Sequence, residues 1–311
     1  MYFPYLRGKQ FELIALRNLS ENYLISDKTI PIIEPVKLSS TLISTIQEFI
    51  KRKNNIGIVI NPQVGAFQED IEESKNDTLY DKYKELLNDE NIIKTYIMNE
   101  DSEEEIPQIQ INDKLDSIIV CINDIDYLET YEKYFCEDKP KYTLIKDESS
   151  FRRKIKDSRV ISDDKFNKRA RNIDYLKKED EFFSDDHIYF KDDGYIGFSD
   201  FSVVGSEYKD TGFAPFAVAI HIHYFDDESN LRIRHFVSNS NEDIQDPAGK
   251  FGEALKKLIE WSNNRNIKET EGLKEFKRLY KESKYSGLGV VKKLSIMHHL
   301  ELVNEYLETT N

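Results

Sequence analysis

Short apolar runs recur along the first two thirds of the chain, and most are followed by apolar residues at helical spacing. The strand-like runs are residues 3–7, 30–36, 56–61, 92–98, 117–122, 142–146, 159–162 and 195–201. Several are apolar at consecutive positions, as in strands that are buried on both faces. Alternating strands and helices predict a parallel sheet covered by helices. Eight strands favour a (β/α)8 TIM-like barrel. The uneven spacing leaves an open doubly wound sheet as the alternative.

The polar segments between these runs vary in helical character. Residues 11–19, 40–53, 81–87 and 127–135 have apolar positions at helical spacing. The segment after the fourth strand is rich in Glu and interrupted by Pro107, which predicts a poor helix. Residues 168–183 are strongly charged and predict a helix.

The pattern changes after Gly205. Residues 216–225 and 231–237 predict a β-hairpin. Asp246 and Pro247 predict the start of a helix, with Asp as N-cap and Pro at the first helical position. Two further helices are predicted near 273–283 and 290–307. The predicted domains are a barrel over 1–205 and a C-terminal α+β extension over 206–311, packed on the barrel.

Size and charge narrow the functional classes. A chain of 311 residues accommodates one barrel of roughly 250 residues and an appendage. The net charge of −14 disfavours nucleic-acid binding, but it leaves room for a local anion pocket. Two cysteines imply no disulfide framework. The sequence shows no signal peptide and no run of eighteen apolar residues, so we expect a cytoplasmic protein without a membrane span.

Polar residues at the predicted strand ends are the candidate site, because ligands of parallel barrels bind at that edge. Glu34 lies in an otherwise apolar run, where burial would raise the pKa of its carboxyl toward use as an acid or base. A structural ion pair of Glu34 with Arg7 or Lys9 is the alternative. Asp200 is the second candidate acid/base group. The candidate ligand-binding residues are Arg7, Lys9, Lys37, Asn61, Asn123, Lys146 and Asp163.

Two further patterns have both a functional and a structural interpretation. His221 and His223 alternate on a predicted strand, where they could bind a metal together with Asp200 or could simply face solvent. A dense group of charges over 163–171 could form an anion-binding loop or an exposed helix face. The chain has no dinucleotide-binding or P-loop motif, and its cofactor stays undetermined.

Three segments resemble a bacterial family related to the phage beta-protein group. They are the opening residues 2–16, residues 31–35 and residues 197–202. The resemblance implies a barrel-like fold and a setting in phages or in defence-type gene clusters, often beside a second protein. It points to Arg7, Lys9, Glu12, Glu34 and Asp200, without giving any of them a catalytic role.

Three functions remain open from the sequence. The first is binding of a small anionic or nucleotide-like ligand at the strand ends, with acid/base hydrolysis by Glu34 or Asp200. The second is a non-catalytic recognition subunit that engages a partner protein through the C-terminal extension. The third is a metal-dependent hydrolase that uses Asp200, His221 and His223. If the candidate site residues converge on one pocket, an enzyme is favoured. If their charges pair with one another instead, a non-catalytic recognition subunit is favoured.

Overall fold

The main feature of the fold is a barrel of eight parallel strands. The computed structural model describes residues 1–73, 78–210, 215–265 and 267–310. The strands pair in chain order, and backbone hydrogen bonds from Phe3 to Phe198 and from Tyr5 to Asp200 bring the ring near closure. The predicted (β/α)8 barrel is therefore confirmed. Its strands are β1 (Tyr5–Leu6), β2 (Ile32–Ile33), β3 (Ile56–Val59), β4 (Ile92–Ile97), β5 (Ile119–Ile122), β6 (Tyr142–Ile145), β7 (Arg159–Ser162) and β9 (Gly197–Ser199).

Side chains that alternate along these strands fill two different cores. One set points into the barrel and forms a compact cluster that includes Phe3, Tyr5, Ile32, Val59, Ile119, Cys121, Leu144 and Val160. The intervening residues, such as Leu6, Ile33, Ile58 and Val120, belong to the larger core that the helices cover. This double burial explains why the strands are apolar at consecutive positions. Cys121 is a buried free thiol, and burial raises its pKa to about 12.

Helices follow the strands around the outside of the barrel. They are α1 (Gln10–Glu21), α2 (Ser40–Arg52), α3 (Phe67–Glu73), α4 (Thr78–Leu86), α5 (Ser102–Asn112), α6 (Leu128–Phe135), α7 (Ser149–Lys154) and α8 (Asp186–Tyr189). The expectation of a poor helix around Pro107 is wrong, because α5 passes through that residue. The three Glu residues of its first turn stabilise the helix, because their negative charges interact favourably with the positive end of the helix dipole. The carbonyl of Glu103, four residues before Pro107, accepts a hydrogen bond from the Tyr134 hydroxyl instead.

The charged segment 168–183 is not the single helix that the sequence predicts. It forms a 3-10 helix (Asn172–Lys177) and then β8 (Asp180–Ser184). β8 pairs with the predicted hairpin, β10 (Ala219–Phe225) and β11 (Leu231–Val237), in an antiparallel sheet of order β10-β11-β8. Alternation of buried Glu181 and Phe183 with exposed Phe182 suits a strand better than a helix. Sheet membership therefore does not follow the predicted domain boundary at 205–206.

Three helices complete the C-terminal part. They are α9 (Pro247–Asn263), α10 (Glu271–Lys281) and α11 (Leu288–Thr309). Asp246 caps α9 as predicted, since its Oδ1 accepts the Gly249 N–H at 2.9 Å. α11 packs against the barrel, where Asn304 Oδ1 accepts hydrogen bonds from Ser26 and Thr29. Within the described residues, no helix has the length and apolar character needed to cross a bilayer.

The interior of the barrel leaves no room for a methyl group at Gly57. A Cβ atom there would lie 2.9 Å from Thr95 Oγ1 and 3.1 Å from Ile32 Cγ1. We expect Gly57→Ala to lower the free energy of unfolding by about 1–3 kcal/mol through overpacking. Gly252→Ala is the control, because its Cβ on α9 meets no atom within 4 Å and should raise stability by up to about 1 kcal/mol. Urea denaturation measures both, and equal effects would contradict the packing argument.

Candidate functional site

The C-terminal mouth of the barrel is occupied by a buried ion pair. Glu34 follows β2 and has no exposed surface, and its Oε2 contacts Nη1 of Arg7, which follows β1. Tyr5 Oη donates to Glu34 Oε2 at 2.7 Å, and the Gln63 N–H donates to Oε1 at 2.9 Å. We call Tyr5, Arg7, Glu34 and Gln63 the mouth cluster. Both oxygens of Glu34 are engaged, as in the structural ion pair considered from the sequence.

A segment after β9 covers the mouth cluster. Arg7 Nη2 donates to the Ser206 carbonyl, and the guanidinium lies 5.8 Å from the Phe201 ring centre. Lys9 Nζ donates to the Lys209 carbonyl and lies 4.7 Å from the Tyr208 ring centre. The two cations predicted to bind ligand are thus partly engaged in holding residues 201–209 over the barrel.

Among the other predicted ligand-binding residues, Asn61 contacts the mouth cluster through its backbone carbonyl, which accepts a hydrogen bond from Gln63 Nε2 at 2.6 Å. Asn61 joins β3 to β4, since its Nδ2 donates to the Ile97 carbonyl and its Oδ1 accepts the Ile97 N–H. Asp163 lies 3.4 Å from Lys165 Nζ. The remaining three have exposed side chains for which the described ranges contain no hydrogen-bond or ion-pair partner; they are Lys37, Asn123 and Lys146.

Asp200 is buried at the end of β9, beneath α11. Its Oδ1 accepts the Ser202 N–H at 2.8 Å and the Tyr2 hydroxyl at 3.2 Å, and its Oδ2 lies 3.5 Å from His299 Nε2. Burial raises the pKa of Asp200 to about 7, whereas burial lowers the pKa of His299 to about 3. A neutral histidine therefore faces this carboxyl. His299 is not among the site residues predicted from the sequence, because nothing in the residue spacing of α11 distinguishes it from a packing residue.

His221 and His223 lie on β10 but have different neighbours. The His223 ring stacks on His299 at 3.8 Å between ring centres, and neither of its ring nitrogens has a hydrogen-bond partner in the described chain. His221 Nδ1 lies 2.7 Å from His235 Nδ1 on β11. Among the residues described, no group of three or more His, Cys, Asp or Glu side chains is arranged to hold a metal ion. The predicted set with Asp200 is not assembled.

A cavity of about 240 Å³ lies beside the covered mouth, between the segment after β7 and the C-terminal part of the chain. We call it the cationic cavity because Lys168, Arg169 and Lys292 line it. Its other polar residues are Asn172, Tyr175, His221 and Ser295, and its apolar wall includes Phe166, Val203, Val204, Leu288 and Val291. The charged group predicted as an anion-binding loop thus contributes Lys168 and Arg169 to a real concavity.

The lysines of this region repel one another. Burial lowers the pKa of Lys168, and the nearby charges of Lys209, Lys292 and Lys9 lower it further, against the opposing effect of Glu207. Burial, followed by the charge of Lys292, also lowers the pKa of Lys9. Burial and mutual repulsion therefore disfavour the charged form of these lysines, while Glu207 pairs with Lys168 and Glu181 with Arg169.

Comparison of this chain with protein-family models, with curated proteins and with solved structures finds no match. The resemblance to the phage beta-protein group stays a prediction.

Removal of the charge on Glu34 should destabilise the fold, because the partly buried guanidinium of Arg7 would lose its carboxylate partner and keep only the Ser206 carbonyl. We expect Glu34→Gln to lower the free energy of unfolding by about 3–5 kcal/mol. Glu282→Gln is the matched control, since its ion pair with Arg278 is solvent-exposed and should contribute little. Chemical denaturation measures both. A loss for Glu34→Gln no larger than that of the control would contradict the role of the mouth cluster.

The raised pKa of Asp200 predicts a specific pH dependence. An unfolded Asp has a pKa of about 3.9, so between pH 4 and 7 the folded state holds a proton that the unfolded state has lost. The stability contributed by Asp200 therefore falls as the pH rises through this window. Asp200→Asn lacks this titration, so the stability of the natural protein relative to this variant should decline from pH 4 to pH 7.

Denaturation at several pH values measures this difference, with the exposed Asp116→Asn as control. A constant difference between the natural protein and Asp200→Asn would refute a raised pKa.

Proposed function

We propose that the protein binds a small anionic ligand, such as a phosphate-bearing metabolite or nucleotide-like compound, in the cationic cavity. The observation that carries the proposal is the crowding of Lys168, Arg169 and Lys292 around one concavity in a chain of net charge −14. Such crowding is unfavourable in the empty protein, and an anion would relieve it. Lys168 pairs with Glu207 and Arg169 with Glu181, whereas Lys292 has no ion-pair partner among the residues described and interacts with the buried Glu12 only at longer range.

The size and lining of the cavity favour a compact ligand. A volume of about 240 Å³ lies below the roughly 300–1,000 Å³ of sites for drug-sized molecules. Lysine and arginine donors suit phosphate or carboxylate oxygens, and the α11 N-terminus at Leu288 adds a favourable dipole. The apolar wall would contact a small uncharged portion of the ligand. Because Glu34 and Asp200 do not line the cavity, the proposal is one of binding rather than acid/base hydrolysis.

A non-catalytic recognition subunit is the second candidate. The paired charges of the mouth cluster favour it, since the usual barrel site is filled by the protein's own side chains. In this case the anion would be a signal that the C-terminal part transmits to a partner protein. A cytoplasmic location and a role in a phage-related or defence-type system belong to the same proposal, and their support is the sequence resemblance.

Charge reversal in the cavity tests the proposal. We expect inorganic phosphate to bind the natural protein in isothermal titration calorimetry, and Lys292→Glu to weaken this binding at least tenfold, because a charge-assisted contact becomes a repulsion. Lys256→Glu is the matched control: it changes the net charge equally, on an exposed face of α9 outside the cavity.

Equal weakening by both variants would show that only the overall charge matters. Absence of phosphate binding to the natural protein at millimolar concentration, with pyrophosphate and AMP also inert, would overturn the proposal.

A further inference from the structure

A chain of hydrogen bonds leads from a buried carboxylate to the wall of the cationic cavity. His221 on β10 and His235 on β11 are directly opposite each other, and their Nδ1 atoms are 2.7 Å apart. His235 Nε2 lies 3.2 Å from Oε1 of Glu181, which the neighbouring strand β8 supplies. We call Glu181, His235 and His221 the histidine relay. Its outer member, His221, lines the cavity.

The charge on Glu181 and the neutrality of His235, whose pKa is lowered by burial, together set the direction of every hydrogen bond in the relay. Burial alone would raise the pKa of Glu181, but hydrogen bonds from His235 and Lys178 and the charge of Arg169 outweigh burial and lower the pKa. An ionised carboxylate only accepts hydrogen bonds, so His235 Nε2 must carry the proton. In a neutral His235, Nδ1 is then the acceptor, and His221 Nδ1 must donate to it.

This direction leaves the lone pair of His221 on Nε2. That nitrogen has no hydrogen-bond partner within the described residues, and the ring is held edge to face against Phe166 and Tyr175, with ring centres 5.3 and 4.7 Å away. Burial, followed by the charges of His235 and Lys292, keeps the pKa of His221 well below its ordinary value, so the ring is neutral at pH 7. The cavity thus combines cationic donors with one neutral nitrogen acceptor.

We propose that His221 Nε2 selects, among small anions, those that carry their own hydrogen-bond donor, as hydrogen phosphate and the monoanion of a phosphate monoester do. This inference rests on the proposed function of the cationic cavity. The cations attract any tetrahedral anion of suitable size. Sulfate carries no proton at neutral pH, so it would place an oxygen lone pair against the lone pair of Nε2. Hydrogen phosphate would donate its O–H to the same atom.

Competition between phosphate and sulfate isolates the acceptor from the charge. At pH 7 and matched ionic strength, we expect the natural protein to bind phosphate about tenfold more tightly than sulfate, as a mismatched polar contact implies. His221→Phe keeps the aromatic contacts but removes the acceptor. In this variant we expect the two affinities to agree within about twofold, mainly through loss of phosphate affinity.

Glu181→Gln provides a second test that replaces no residue of the cavity wall. It also removes the ion pair of Glu181 with Arg169, so the readout is the ratio of the phosphate and sulfate affinities rather than either affinity alone. An amide can donate to His235 Nε2, which allows the relay to reverse and turns His221 Nε2 into a donor. The preference for phosphate should then shrink toward that of His221→Phe. This variant also decides the matter if His221→Phe fails to fold.

The outcomes separate the two proposals. If neither anion binds the natural protein, the proposed function of the cavity fails and the inference fails with it. If both anions bind equally, or if the preference for phosphate survives in both relay variants, the cavity binds anions but His221 does not select among them. Loss of the preference in both variants, with sulfate binding retained, supports the relay.

Discussion

The architecture depends on the closing of the barrel by its first residues. The N–H groups of Phe3 and Tyr5 donate to carbonyls of Phe198 and Asp200, so the two ends of the eight-stranded sheet meet. This closure brings Tyr2 to the carboxyl of Asp200 and places Arg7 under the segment that follows β9. The same closure gives α11 a continuous surface against which its buried face packs, through contacts such as those of Asn304. Backbone pairing between residues nearly two hundred positions apart therefore determines which side chains meet at the mouth of the barrel. It also forms the surface against which α11 packs.

The buried charges at the mouth of the barrel limit where a ligand can bind. Tyr5 and Gln63 supply hydrogen bonds to both oxygens of the buried Glu34, which stabilise its charge beside Arg7. The same contacts occupy the space that barrel enzymes use for their substrates. Lys168 and Lys292, which come from elements far apart in the chain, lie to one side instead. Lys168 pairs there with Glu207, whereas Lys292 has no ion-pair partner among the residues described. The cavity proposed to bind an anion is lined by residues that follow β7 and β9 and by His221 of β10 in the antiparallel sheet.

The sequence predicts those elements whose burial follows a regular pattern along the chain. It does not predict features that depend on contacts between residues far apart in the chain. Consecutive apolar residues identified all eight barrel strands, because each strand has two buried faces. Asp246 and Pro247 identified the start of α9 for a local reason, namely the geometry of an N-cap. The continuity of α5 through Pro107 depends on a hydroxyl from Tyr134, which no local pattern reveals.

The candidate site likewise combines residues that the sequence predicts with contacts that it does not predict. Arg7 and Glu34 were found because strand ends are predictable, but their mutual pairing depends on the distance between two side chains. The sequence does not single out Glu181, His235 or Lys292, because residues 168–183 predict a helix where β8 forms and the register of β11 cannot be read from sequence. Lys168 and Arg169 were noticed as a charged group, yet only the fold shows that they face a concavity.

Two histidine pairs show how environment separates a structural from a chemical role: His221 with His235, both on the antiparallel sheet, and His223 of that sheet with His299 of α11. His223 and His299 are fully buried and stacked, and His223 has no polar neighbour that would fix its protonation in the described structure. His299 stays neutral beside Asp200, and His223 is neutral too, because burial lowers the pKa of both histidines. His221 and His235 are anchored instead by an ionised carboxylate, which imposes one direction on their hydrogen bonds. A ring with a fixed lone pair at a cavity wall can distinguish ligands by their protons, whereas a ring in an apolar contact can only fill space.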